Sequence, residues 1–247
     1  MSQKVLRPGS PRWWLDRLRQ DKSADQGPGR PPMPIDRVVV AALELVDEVG
    51  PGEFSMRMLA QRLRSSTATL YRHFAGKDEI LVHVVDHVLG EVPRHLPDPA
   101  LTATWQERLV ATAEALFRTL KDHPKVVSLF VDHIPLGRHG LAGREAAIGT
   151  LLAGGFPPEI AARAYTAVAH YVLGFAIQLR ADDTAEPQDN QDIREFCRSL
   201  DPARYPATVS SAPFLPSSLD EEFRFGLHLI VDGLSRQLPA RPPRGSR

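Results

Sequence analysis

Between Phe54 and Lys77 the chain carries Arg57, Arg62, Arg64, Arg72 and Lys77 with no acidic residue among them. A cationic block can hold a polyanion locally even in a neutral protein, because charges beyond about 8 Å are largely screened at physiological salt. The residues between the charges suit duplex DNA. Thr67, Ala68 and Thr69 are small enough to let a helix approach a major groove and to touch thymine methyls or base edges. Tyr71, Arg72, His73 and Lys77 would reach phosphates, which set register rather than sequence. Arg57 is the candidate for a bidentate guanine contact. Ser66 or Thr67 is placed to cap the helix that carries these groups, and Ser66 is counted with the DNA-facing set.

Other constellations point to no chemistry of their own. His83 and His87 stand four apart with Asp86 beside them, the outline of a metal site. However, Val84, Val85 and Val88 already define a buried face, so the three polar residues are expected to turn outward or toward a second domain. Asp132-His133 has no paired nucleophile, and no G-x-S-x-G, P-loop or G-x-G-x-x-G occurs. No catalytic residue, metal or cofactor is expected, and the chain reads as a non-enzyme.

The elements that must position the basic block are helical. Val38, Val39, Ala42, Leu45, Val46 and Val49 recur at helical spacing up to Gly50-Pro51-Gly52. Ser55 can cap a second helix burying Met58, Leu59 and Leu63, and a third runs from about Ser66 to Phe74. Two short helices joined by about three residues have the dimensions of a helix-turn-helix. A fourth helix starts at Asp78, with Leu81, Val84, Val85 and Val88 inward. Trp105, Leu109, Ala113, Leu116 and Leu120 mark a further helix, shorter ones lie between Lys125 and Ala153, and long apolar helices span about 157–179 and 219–238. No alternating strand pattern appears, so the fold class is all-α.

The boundaries follow. Residues 1–33, with seven Arg or Lys and the run Gly27-Pro28-Gly29-Arg30-Pro31-Pro32, are expected to be a flexible basic arm, in which Trp13 and Trp14 form at most a short turn. A solvated leader is the leading account of this arm, and Arg30 in a minor groove the alternative. Residues 34–80 form the DNA-binding domain and 81–238 a larger C-terminal domain. Within the latter, 182–217 is polar, Pro-rich and acidic through Asp182, Asp183, Glu186, Asp189, Asp192 and Glu195, so a long, partly disordered loop is expected. Residues 239–247 form a tail.

The whole chain has 247 residues, 43% of them hydrophobic, and 30 basic residues balance 30 acidic ones. These values fit a soluble globular protein, and the longest near-apolar stretch, Tyr165 to Leu179, is too interrupted to span a membrane. Cys197 is the only cysteine, which rules out an internal disulfide framework and fits a reducing, cytoplasmic setting.

Several runs carry a resemblance. Ala41-Ala42-Leu43-Glu44-Leu45 with Gly50, then Met58-Leu59-Ala60-Gln61-Arg62-Leu63, then Thr69-Leu70-Tyr71-Arg72-His73-Phe74 with Lys77 resemble the DNA-binding domain of the TetR family of transcriptional regulators. Trp105-Gln106, Gly155-Phe156, Ala167-Val168-Ala169-His170-Tyr171 with Leu173-Gly174, and Phe225-Gly226-Leu227 through Gly233-Leu234 resemble its tetracycline repressor branch. The resemblance implies a ligand-responsive regulator, a repressor released by a small organic effector, that binds a near-palindromic operator as a homodimer. Helices 157–179 and 219–238 would pair with their copies, and both are apolar over more than one face. Thr112, Leu116, Phe130, His133, Tyr165, Thr166 and Ala169 match pocket positions of that branch and would line a mostly apolar effector cavity. The positions matching its magnesium and tetracycline ligands are Pro93, Phe130 and Gln178, which supply no strong magnesium ligand, so tetracycline is not the expected effector.

Where the family places Gly and then an aliphatic residue in the turn, this chain has Arg64 and Ser65. A non-glycine residue in a left-handed conformation costs on the order of 1 kcal/mol, which leaves open a turn of another shape. It also leaves open a second function, a ligand-binding helical dimer with weak or lost DNA binding. A metal-dependent enzyme built on His83, Asp86 and His87 is a remote third.

Overall fold

The computed structural model describes residues 6–21, 35–98, 101–179 and 187–238. Arg30, Asp182, Asp183, Glu186 and the tail from Pro239, named in the sequence reading, lie outside the described residues. Among the described residues all regular structure is helical.

Helix α1 spans Pro11–Asp21, α2 Ile35–Glu53, α3 Met56–Arg62, α4 Thr67–Tyr71 and α5 Lys77–Leu89. After a 3₁₀ turn at Val92–His95 come α6 Trp105–Asp122, a 3₁₀ turn at Pro124–Val126, α7 Leu129–Asp132, α8 Arg138–Ala153 and α9 Pro158–Ala176. The last described elements are α10 Pro187–Ser199, α11 Pro206–Ser211, a 3₁₀ turn at Ala212–Phe214 and α12 Leu219–Ser235. Local signals set most of these ends. Gly50, at φ 81°, breaks α2 before Pro51, and Thr104 with Glu107, like Ser218 with Glu221, forms a reciprocal capping box at the start of α6 and α12.

One continuous core joins the two halves of the chain. It runs from Val38, Ala42 and Val46 of α2 through Ile80, Val84 and Val88 of α5 to Leu109, Phe117 and Leu120 of α6, and on to Val168, Val172, Phe223 and Leu227. In its lower part the rings of Phe117 and Phe223 stack at 4.2 Å, and the Tyr171 hydroxyl donates to the Phe223 carbonyl at 2.8 Å. This ties α6, α9 and α12 together.

Two sets of polar contacts add to this core in fastening the DNA-binding half to the rest. Asp86, on α5, is buried and accepts the backbone N–H groups of Gly140 at 2.9 Å and His139 at 3.3 Å. It therefore caps the start of α8, whose own N-cap residue, Gly137, has no side chain to do so. A Cβ at Gly137 would fall inside the Asp86 carboxylate, so the glycine is needed for this approach. At the second contact His123 bridges Asp47 of α2 at 2.8 Å and Glu91 at 3.4 Å, while Lys125 donates to the Glu48 carbonyl at 2.8 Å. The hydrogen bond to Asp47 raises the His123 pKa against the opposing effect of burial, and the two carboxylate charges add to the rise. His87, which shares Glu91, moves the other way because burial disfavours its charged form.

Two segments differ from the sequence expectation. Residues 6–21 are not a loose arm: α1 is an 11-residue helix that buries Trp13 and Trp14. Its signals, Ser10-Pro11 followed by two adjacent indoles, are hidden when composition is averaged over 33 residues. Nor is 182–217 one long loop, since α10, α11 and a 3₁₀ turn occupy much of it. Ile193, Phe196, Cys197 and Leu200 do recur at helical spacing there, but four apolar residues are diluted by the polar ones around them. Arg194 holds α10 onto this unit by donating to the Leu215 carbonyl at 3.1 Å.

Asp86→Ala should lower stability by about 1–3 kcal/mol, because it leaves two helix-end N–H groups unsatisfied. Gly137→Ala should do the same, and the double variant should lose less than the sum; urea unfolding of the three variants checks this. His123 should stabilise the fold most when charged. Its contribution is fully present below its unfolded pKa of about 6.5 and lost as pH rises through the raised folded value. The cost of His123→Asn, read from urea midpoints, should therefore be larger at about pH 6 than at about pH 9.

Candidate nucleic-acid interface

Ser55 caps α3 by accepting the Met58 N–H at 3.4 Å, and Ser66 caps α4 by accepting the Thr69 N–H at 3.1 Å. Between them Arg64 sits at φ 50°, the left-handed conformation. The Ser65 N–H reaches the Ala60 carbonyl at 2.9 Å and the Arg64 N–H reaches Gln61 at 3.1 Å, the paired bonds of a Schellman motif. The helix-turn-helix thus keeps a tight turn without glycine, and the cost of about 1 kcal/mol is carried by the surrounding packing.

Helix α4 is only five residues long, too short to be stable alone. It is pinned from behind by Leu70 and Phe74, both buried. That places Thr67, Ala68, Tyr71 and Arg72 on the exposed side, with Tyr71 56% exposed. Thr69 and His73 are half-buried. The Thr69 hydroxyl lies 3.0 Å from that of Ser66 and accepts from Arg72 at 3.2 Å, so Arg72 is held along the helix edge. Arg57 is exposed in the first turn of α3. Lys77 lies at the start of α5 and donates to the Gly52 carbonyl at 3.0 Å.

Arg62 stands apart from the rest of the block. Its guanidinium donates to Glu48 at 2.5 Å and Glu44 at 3.3 Å, both on α2, and these contacts raise its pKa. Arg62 is therefore a tie between α3 and α2, and the outward-facing cations are fewer than the sequence count implies.

The residues of the metal-like cluster separate. Asp86 caps α8, His87 faces Glu91 at 3.7 Å, and the His83 ring packs edge-on against Trp13, Trp14 and Phe74. Sequence reasoning missed the cap, whose only signal is Gly137 just ahead of a helix with no side-chain cap.

The residues matched to an effector pocket are distributed over three elements. Thr112 and Leu116 lie on α6, Phe130 on α7, and Tyr165, Thr166 and Ala169 on α9, which packs against α6. Leu116 and Phe130 pack against the main core. The Thr112 and Thr166 hydroxyls donate to carbonyls four residues back, while Tyr165 meets Arg144, whose guanidinium stands 5.6 Å from the ring centre. His133 is placed elsewhere, on the wall of a cleft of about 480 Å³ with Arg7, Asp78, Leu81 and Ser128. Pro93 lies in the 3₁₀ turn after α5 and Gln178 just past α9, both exposed. Among the described residues no helix is long and apolar enough to cross a membrane.

Comparison with known proteins agrees with this layout. Residues 38–84 match the model of bacterial regulatory proteins of the tetR family, and residues 97–238 match the tetracyclin repressor-like C-terminal domain. An HTH-type transcriptional regulator from Saccharopolyspora erythraea is 32% identical over 83% of this chain and 86% of its own length. The class G tetracycline repressor of Vibrio anguillarum is 29% identical over 81% of this chain and 92% of its own. In structure, the Streptomyces coelicolor TetR family protein ActR in complex with actinorhodin superposes with a TM-score of 0.73, at 31% identity, covering 83% of this chain and 98% of ActR. A helix-turn-helix packed through α5 on a larger helical domain, matched in both parts, places the chain in the TetR family of transcriptional regulators.

Proposed function

We propose that this chain is a homodimeric repressor that binds a near-palindromic DNA operator through α3 and α4 and is released by a small organic effector held in the C-terminal domain. The observation that carries the DNA reading is the pinned recognition helix, with Thr67, Ala68, Tyr71 and Arg72 outward and Leu70 and Phe74 buried. Arg57 and Tyr71 take the specifying and positioning contacts at the groove edge. Ser66, Thr67, Ala68 and Thr69 lie against base edges, and Arg72, His73 and Lys77 meet phosphates.

The dimer reading is supported by apolar surface left over after the protomer folds. Phe225 and Leu229 on α12 are 69% and 57% exposed, and α9 presents Ala162, Ala167 and Gly174 outward. Gly174 and Gly233 face open space, which lets a second pair of helices approach closely. A two-fold axis through α9 and α12 would set two recognition helices about 34–36 Å apart, or a multiple of it, and so ask for a palindrome. For the effector, Thr112, Leu116, Phe130, Tyr165, Thr166 and Ala169 are the candidate contacts, with Arg144 joining through Tyr165. His133 belongs to this set by family position but stands at the junction of the two halves. ActR with actinorhodin bound supports a small-molecule effector. Pro93, Phe130 and Gln178 supply no strong magnesium ligand, which argues against magnesium-tetracycline.

Selection of duplexes from a random DNA pool should enrich a palindrome. Arg57→Ala should weaken its binding by about 1–3 kcal/mol and relax one base position, as expected of a bidentate contact. Tyr71→Ala and Lys77→Ala should weaken all sequences alike, and only the lysine change should lower the salt slope, by about one. Leu229→Arg should yield a monomer by light scattering that no longer discriminates the palindrome. No enrichment at low salt would instead favour a ligand-binding dimer without an operator.

A further inference from the structure

The family match begins at residue 38, so no role is assigned to the helix ahead of it. We propose that residues 6–21 act as an internal strap that fastens α5, and with it the recognition helix, to the effector domain.

The contacts of this segment reach both halves of the protein. Trp13 and Trp14, 8% and 6% exposed, form a small second core with Val82 of α5, flanked by Leu6 and by Leu136 of the loop before α8. Both indoles stand 5.7 Å from the His83 ring. A side chain at Gly9 would meet Val82 and the His133 ring, so the run-in to α1 also lies against the effector domain. Arg17 stacks 5.1 Å from the Trp13 ring and pairs with Glu79, which is 2% exposed. Glu79 in turn accepts the Ala75 N–H at 2.7 Å, in the link that follows the recognition helix.

These partners share one stripe of α5. Glu79, Val82, His83 and Asp86 recur at helical spacing, while Ile80, Leu81, Val84, Val85 and Val88 face the main core. The upper part of the stripe takes α1 and its lower end, at Asp86, takes the first turn of α8. The strap and the cap therefore hold the same face of the same helix. A DNA-contacting arm would be oriented by phosphates and would leave its indoles uncovered. In α1 it is Pro11, Arg12, Leu15, Asp16 and Arg19 that stay outside.

Amide hydrogen exchange on the full-length protein without DNA tests the strap independently of any operator. Trp13→Ala/Trp14→Ala and, as a milder change that keeps both indoles, Arg17→Ala should each speed exchange about tenfold in two separated segments, 77–84 and 137–142, while α9 and α12 keep their protection. If exchange rises only within residues 6–21, or in α5 but not in 137–142, the segment joins nothing and the proposal fails. A cooperative melt by circular dichroism establishes that each variant is folded, and Arg17→Ala decides the matter where the tryptophan variant is not. In operator titrations Arg12→Glu/Arg19→Glu should leave affinity and salt slope unchanged. A fall in both would make the segment a DNA-binding arm and overturn the strap.

Discussion

Helix α5 has to satisfy two domains at once, and the rest of the architecture follows from that constraint. One of its faces completes the core under the helix-turn-helix, and the stripe beside it receives α1 and the N-terminus of α8. Almost nothing on its 13 residues is left to water: eight are buried, among them the carboxylates Glu79 and Asp86. Buried acids are tolerated only when paired or hydrogen-bonded, and here each serves as a fastener, Glu79 to Arg17 and Ala75, Asp86 to α8. A helix held this way links the first turn of α8 to the core beneath the helix-turn-helix through packed contacts.

The recognition helix illustrates the opposite economy. Five residues cannot hold a helix in water, so its position comes entirely from its neighbours: a serine cap, a Schellman turn through Arg64, and Leu70 and Phe74 behind it. Tertiary packing overrides the local preference at Arg64, where glycine would be the relaxed choice. The added guanidinium is exposed in the turn just ahead of α4, so the strained residue adds charge beside the side chains proposed to meet DNA.

Which features could be read from the sequence depended on whether their signals were local. The caps Ser55 and Ser66, the break at Gly50-Pro51 and the apolar stripes of α2, α6, α9 and α12 are all written within a turn or two of where they act, and they stand where periodicity puts them. Three things were not legible. The α1 helix and α10 lie in stretches whose overall composition is polar, and a few well-spaced apolar residues are outweighed in any average. The Asp86 cap joins residues 53 and 54 positions apart, and nothing at either end names the other. Arg62 looks like its basic neighbours but is turned back onto α2 by Glu44 and Glu48, a distinction that depends on helix orientation.

That last pair bears on how such a regulator can be switched. Each cation that meets a phosphate adds a salt-dependent increment of affinity that is indifferent to sequence. Pairing Arg62 within the domain removes one such increment, and the zero net charge of the whole chain supplies no long-range attraction to compensate. On the repressor reading, binding then depends on Arg57, Arg72 and Lys77 being presented correctly on two protomers together, which is a matter of orientation. On the same reading an effector would act by altering that orientation, and α5 is the helix whose core contacts join the two halves. A coupling energy of about 1–3 kcal/mol shifts operator affinity by roughly 5–150-fold. A shift of that size matters most to a protein that does not hold DNA by charge alone.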